Sequence, residues 1–293
     1  MIMPKILITG SAGQLGVDCM DVLSGHNVRG LDLPHIDITS KDSVTRAIME
    51  FKPDILVNCA AYTAVDKAES DEELCRAVNA DGPAILASEC RENNIYLIHV
   101  STDYVFSGDR DIPEPWLETD EANPCTVYGK TKREGEMAIQ ASGCDYAILR
   151  TAWLYGAHGK NFLKTMLRLA MADSEKTIRV VDDQFGCPTW SYNLATQIKQ
   201  LVECTEKPTG LFHAVSQGYT TWYGFAKEFL TLMNVPFKME PCTTADYPTP
   251  ARRPQNSILE NAALKKCGIC VMDDWKNALN GFTKANRLLL IQH

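Results

Sequence analysis

No apolar run in this 293-residue sequence approaches the roughly 20 residues that a membrane-spanning helix needs, so no bilayer span is expected. There is no charged-then-apolar leader ahead of the first strand-like run, which makes the cytoplasm the expected location. Positive charge is not in excess either. The 29 Lys and Arg against 37 Asp and Glu leave a net charge of −8, which argues against a general nucleic-acid surface. Internal repeats, low-complexity stretches and a flexible linker are missing too, so a solenoid or a tethered array is excluded. Cysteine is plentiful but lacks a framework. Eleven, an odd number, are scattered through strand-like and helix-like segments, as reduced thiols in a cytosolic enzyme would be. Cys267 and Cys270 form the only C-x-x-C, and without a second pair or nearby histidines they read as core or surface thiols rather than a zinc or redox site.

What is present suffices for a sizeable core. Hydrophobic residues make up 45% of the chain, enough for one large or two modest domains. The apolar run Ile6 to Ile8 is followed by Gly10, Gly13 and Gly16, and then by a helical apolar pattern through Val17, Met20 and Leu23. This describes a strand, a tight turn and a helix. Gly10 permits the turn, Gly13 lets backbone approach a pyrophosphate, and Gly16 allows close helix packing, while the helix N-terminus offers unpaired N–H groups. The spacing is G-x-x-G-x-x-G rather than G-x-G-x-x-G. A dinucleotide site also needs an acid at the end of the second strand for the adenosine ribose, and Asp32 closes the run Asn27 to Leu31 at about the expected separation.

Strand-like and helix-like segments alternate through the first half: Lys5 to Thr9, Asn27 to Asp32, Ile55 to Asn58, Tyr96 to Ser101 and Tyr146 to Thr151 are separated by amphipathic stretches. The pattern predicts an α/β fold, a Rossmann-type doubly wound parallel sheet, with functional residues at the C-terminal strand ends. Residues 1–150 are expected to form the dinucleotide-binding unit. Residues 151–293 are expected to be mainly a smaller, interleaved substrate-binding lobe, with the runs 178–181 and 211–215 as candidate extensions of the large sheet.

Tyr128 and Lys132 lie four apart in a helical pattern and so share a face. Alone, such a pair describes a solvated helix face. Beside the Gly-rich turn and Asp32 it describes a phenol whose acidity is raised by an ammonium, able to give a proton to a developing alkoxide. Thr102, directly after the fourth strand, is placed to hydrogen-bond the same carbonyl oxygen, with Ser101 competing for that role.

Taken in order, TGSAGQLG, NCAAYTAVDKAE, VSTDYVFSG, VYGKTKREGE, LRTAWLYG, KNF, DDQFGCPT and ARRPQNSIL resemble the extended short-chain dehydrogenase/reductase superfamily, and more narrowly its dTDP-4-dehydrorhamnose reductase family. The resemblance runs from the first strand to about Leu259. It implies reduction of the C4 keto group of dTDP-4-dehydro-β-L-rhamnose to dTDP-β-L-rhamnose by NADH or NADPH. It implies catalytic places for Thr102 (carbonyl orienter), Tyr128 (proton donor) and Lys132 (activator and ligand of the nicotinamide ribose). For the cofactor it implies Gly10, Ser11, Ala12, Gly13, Gln14, Leu15 and Gly16 at the pyrophosphate, Asp32 at the ribose, Asp37 and Ile38 at the adenine side, and Ala60, Ala61, Tyr62 and Thr63 near the middle. For the nucleotide sugar it implies Thr102, Asp103, Trp153, Arg252 and Arg253, whose guanidinium forks suit a diphosphate. Asp32 favours a free ribose hydroxyl, so NADH is slightly favoured. Of acids that could join a metal-linked dimer contact only Asp18 stands out, so no metal is expected, and a homodimer remains an open expectation. Rival readings are a nucleotide-sugar epimerase or dehydratase, the latter weakened because Tyr104 stands where a second carboxylate is needed, and a silent binding subunit resembling the β subunit of methionine adenosyltransferase.

Overall fold

The computed structural model describes residues 3–291. Its centre is a parallel sheet of β1 (Lys5–Thr9), β2 (Asn27–Leu31), β3 (Ile55–Asn58), β4 (Tyr96–Thr102), β5 (Tyr146–Thr151) and the edge strand Gly210–His213. The spatial order is Gly210–His213, β5, β4, β3, β1, β2. Its inner strands read as unbroken apolar runs because both faces are covered. On one face Leu7, Leu56, Leu97 and Ile148 pack with Ile48, Leu86 and Ile139 from helices Lys41–Phe51, Gly82–Asn93 and Val127–Ser142. On the other, Ile6, Ile8, Val57, Ile98 and Leu149 meet Leu15 and Cys19 of helix Gln14–Val22 and Leu194 and Ile198 of helix Ser191–Glu203.

Local chemistry sets the helix ends that matter for the site. The Thr126 hydroxyl accepts from Gly129 N–H at 3.0 Å and starts the helix that carries Tyr128 and Lys132. Gly143, at φ +76°, ends it in the left-handed conformation that glycine adopts without a Cβ penalty. The chain leaves β1 for β2 on one side and returns to β3 on the other, which opens a crevice at the C-terminal ends of β1 and β3.

The two late strand-like runs part company. The first half of 211–215 falls in the edge strand, which pairs in parallel with β5. The run 178–181 does not join that sheet, contrary to the extension considered from sequence: Thr177–Val181 pairs with Lys238–Cys242 in a separate two-stranded ribbon. The reason is visible in its alternation. Ile178 and Val180 are buried while Thr177 and Arg179 are exposed, so the strand has one apolar face, which lies on the second core with Phe225, Phe229 and Phe282. Two short pairings then shape the cleft wall. Leu154–Tyr155 runs parallel to Thr189–Trp190, and Phe185–Gly186 lies between Thr220–Thr221 and Asn256–Ser257. Among the described residues no helix is long and apolar enough to cross a membrane.

Candidate active site

A cleft of about 720 Å³ opens over the ends of β1, β3 and β4. Its floor is the Gly-rich turn. Gly10 sits at φ +69°, and a Cβ there would come within 2.6 Å of Ala60 N, so the turn is pressed against the end of β3. A Cβ on Gly16 would lie 2.1 Å from Gly10 O, which only a glycine avoids. Gly13 is the N-cap of helix Gln14–Val22 and supplies no side-chain cap, leaving the first-turn N–H groups to the cleft. Gly13, Gln14, Leu15 and Gly16 line the cleft, whereas Gly10, Ser11 and Ala12 form the turn beneath it. Asp32 is half-buried and braces the turn: its Oδ2 accepts from Ala12 N–H at 3.0 Å and its Oδ1 from Leu33 N–H at 2.8 Å.

Tyr128 and Lys132 both line the cleft, 9% and 2% exposed. Burial pushes the Tyr128 phenol above its ordinary value, opposed by a hydrogen bond with Thr102. The lowering expected from Lys132 is not what the environment delivers: desolvation is the largest influence on the phenol, which is held in its protonated form. The Lys132 ammonium donates to Val100 O at 2.7 Å, and burial brings its pKa down to about 8. The Thr102 hydroxyl donates to Asp103 Oδ1 at 3.0 Å and accepts from Tyr104 N–H at 3.2 Å. Its neighbour Ser101 also lines the cleft, but its hydroxyl has no partner among the described residues and its influence falls on Glu136, whereas that of Thr102 falls on the phenol. Asp103 is 4% exposed, and desolvation carries its pKa up to about 6. Its Oδ2 has no partner among the described residues.

Opposite this set stands an aromatic wall. Trp153 holds a left-handed backbone, φ +48°, and stacks on Trp222 at 3.6 Å with a 10° angle between the rings. Gly186 makes room for it, since a Cβ there would lie 2.4 Å from the Trp153 ring. Trp222 in turn donates from Nε1 to Gln184 Oε1 at 3.1 Å. Arg253 reaches the cleft and donates from Nη2 to Asp66 Oδ2 at 2.6 Å, and its Nη1 is buried without a partner among the described residues. Arg252 does not reach it. That side chain is exposed and directed at Cys125, which corrects its pairing with Arg253 as a cleft residue.

Several expected cofactor residues lie elsewhere. Asp37 Oδ1 is taken by the N–H and hydroxyl of Thr39, and Ile38 is buried beneath Gly82. Ala61 and Thr63 line the cleft, but Ala60 faces Gly10, and the Tyr62 hydroxyl is turned to Asp71 at 3.2 Å. Cys59, Lys160, Asn161, Gln184, Trp222 and Ser257 line the cleft without having been singled out. Lys160, Asn161 and Gln184 come from loops in the second half of the chain, where no periodicity marks them. Asn161 had a signal, since it caps helix Phe162–Ala172 and also donates to Gln14 Oε1 across the cleft at 3.0 Å. Among the described residues no three His, Cys, Asp or Glu are grouped to hold a metal ion, and Asp18 is buried against the Ser191 hydroxyl. All eleven cysteines are free.

Residues 4–288 match the family model of the RmlD substrate binding domain. A dTDP-4-dehydrorhamnose reductase from Streptomyces griseus is 42% identical over 283 residues, 94% of this chain and 92% of the relative. Two solved structures are similar throughout. The dTDP-4-dehydrorhamnose reductase of Clostridium acetobutylicum ATCC 824 is 40% identical with a TM-score of 0.92, covering 99% of this chain and 100% of that one. That of Bacillus anthracis str. Ames, in complex with NADP, is 34% identical with a TM-score of 0.92, covering 97% and 99%. With every residue that lines the cleft inside the matched region, the chain belongs to the RmlD substrate binding domain family, together with the dTDP-4-dehydrorhamnose reductases it is similar to.

Proposed function

We propose that this protein is an NAD(P)H-dependent oxidoreductase that reduces the C4 keto group of dTDP-4-dehydro-β-L-rhamnose to give dTDP-β-L-rhamnose. The observation that carries the reading is the meeting, in one cleft, of an uncapped helix N-terminus behind a glycine turn with a buried, protonated Tyr128. A reduced nicotinamide dinucleotide fits these residues. The Gly16 position admits no side chain, the first-turn N–H groups suit a pyrophosphate, and the Asp32 carboxylate stands at the turn for a ribose hydroxyl. When bound, that cofactor supplies the hydride.

The chain's own residues supply the rest. Tyr128 donates the phenolic proton to the substrate oxygen, and the Thr102 hydroxyl, in the same cleft, orients the carbonyl. Lys132 supports the phenolate left behind and faces the cofactor ribose. Trp153 and Trp222 offer a flat apolar wall to the deoxysugar, and the unpaired Nη1 of Arg253 suits a diphosphate oxygen. In this reading residues 1–150 with the edge strand hold the cofactor, and residues 151–293 mainly hold the sugar nucleotide. NADH is favoured over NADPH because Arg29, the cation nearest Asp32 in sequence, is engaged with Glu50 at 3.0 Å, so no guanidinium offsets the carboxylate. A relative in this family was nevertheless solved with NADP, so use of both cofactors is expected.

The test is oxidation of NADH and NADPH, followed by absorbance, with enzymatically generated dTDP-4-dehydrorhamnose and identification of the product. Oxidation matched by dTDP-rhamnose supports the reading. Folded, cofactor-binding protein that oxidises neither would overturn it.

A further inference from the structure

Strand register sets Thr9 opposite Asn58, and Asn58 opposite His99. The three continue the sheet face whose preceding row is Leu7, Leu56 and Leu97, and they are 0%, 1% and 1% exposed. Polar side chains at that depth are costly unless bonded, and here the bonds impose a direction. Asn58 Oδ1 accepts from the Thr9 hydroxyl at 2.7 Å and from Ala60 N–H at 3.1 Å. Because that backbone N–H can only donate, the amide oxygen is fixed and the amide nitrogen must face His99, donating to Nδ1 at 2.9 Å. Burial keeps His99 neutral, and a neutral imidazole that accepts at Nδ1 carries its proton on Nε2. Nε2 lies 3.4 Å from Lys132 Nζ.

An ammonium has three donors and no acceptor, so Nε2–H and charged Lys132 meet donor to donor, whereas an uncharged amine would accept from Nε2–H. We propose that the Thr9–Asn58–His99 row fixes the His99 tautomer and thereby weakens the hold of Lys132 on its proton, making His99 a positioning residue for the reaction. The inference rests on the reading of Tyr128 and Lys132 given above. The other groups around Lys132 pull mostly the opposite way. Glu136, one turn along the helix, favours the ammonium but is itself paired with Arg150 and Arg133. Cys59 at the end of β3 and Cys75 of helix Glu72–Arg76 also favour it. Tyr128, one turn earlier, is held as the neutral phenol, and Asp103 lies beyond it. Against these stand desolvation and the imidazole N–H. The consequence is a Lys132 that loses its charge not far above neutrality and so sets the alkaline edge of turnover.

Asn58→Asp reverses the row. A carboxylate accepts from the Thr9 hydroxyl and Ala60 N–H as before, but it can no longer donate, so His99 must donate from Nδ1, and the neutral ring then presents Nε2 as an acceptor to Lys132. Two nuclear magnetic resonance readouts test this on protein without substrate: ¹⁵N-histidine spectra for the tautomer and a ¹³Cε-lysine titration for Lys132, assigned with His99→Gln and Lys132→Arg. The expected result is Nε2-protonated His99 in the wild type, Nδ1-protonated His99 in Asn58→Asp, and a Lys132 midpoint at least one pH unit higher in the variant, followed by the alkaline limb of kcat/KM. Because the added carboxylate attracts the ammonium whatever the tautomer, His99→Leu, which removes the opposing donor without adding charge, is expected to raise the same midpoint, and it serves alone should Asn58→Asp not fold. An Nδ1-protonated wild type, or a Lys132 midpoint that stays put in the folded variant, overturns the inference. Both readouts are independent of reductase activity, so failure of the assay on dTDP-4-dehydrorhamnose is a separate result.

Discussion

Tyr128 and Asp103 are neighbours in the cleft whose burial serves different ends. For Tyr128, desolvation keeps the phenol protonated and ready to donate. Tyr128→Phe is expected to lower kcat by on the order of 10² to 10⁴ while cofactor affinity, measured by fluorescence titration, changes little; near-normal turnover would remove Tyr128 from its proposed role. For Asp103, the pKa of about 6 lies above its ordinary 3.8, so the folded protein holds this proton more tightly than the unfolded chain does. The associated stability is complete below about pH 4 and is lost as pH rises through about 6, a cost on the order of 3 kcal/mol once the carboxylate ionises. Asp103→Asn carries no such charge. Its melting temperature is expected to exceed that of the wild type at pH 8 and to match it near pH 4, and a gap that does not depend on pH would show that the buried carboxylate is not the cause. Residue types and spacing made Tyr128, Lys132 and Thr102 legible in the sequence. They could not reveal that Arg253 turns into the cleft and Arg252 away, because the two arginines are adjacent and chemically identical.

At the scale of elements, the glycine turn joins β1, the first helix and the end of β3 through backbone contact alone. Gly16→Ala would push a methyl into Gly10 O, with no flexible side chain to yield. Overpacking of this kind costs about 1–3 kcal/mol, and the first helix must shift to relieve it. Gly16→Ala is therefore expected to lower both thermal stability and affinity for NADH, whereas a serine at Gly25, which has open space around its Cβ position, is expected to do neither. Calorimetry and cofactor titration on the two variants check the contrast. The strand–turn–helix order was readable from apolar runs and glycine positions. The polar row Thr9, Asn58 and His99 was not, because its members come from three strands and meet only through register.

At the scale of the whole molecule, the two halves of the chain share a core. Leu194 and Ile198, from the second half of the chain, cover the face of the large sheet, and Gly210–His213 pairs with the edge of β5. A fragment of residues 1–150 would expose that face and leave β5 as an unpaired edge. It is expected to be insoluble or aggregated on expression, and a cooperative thermal transition in a soluble 1–150 fragment would show that the dinucleotide-binding unit stands alone. Sequence by itself determined the parallel α/β architecture, the glycine turn and the Tyr128–Lys132 pair, because these follow from short-range periodicity and backbone freedom within one or two elements. Tertiary structure alone decided which side chains meet in the cleft, where Trp222 stacks on Trp153 and loops from the second half of the chain supply Asn161 and Gln184, and it decided that the run 178–181 pairs in a ribbon of its own. Those contacts join residues far apart in the chain, and what fixes them is the burial of apolar side chains drawn from distant segments rather than any local preference.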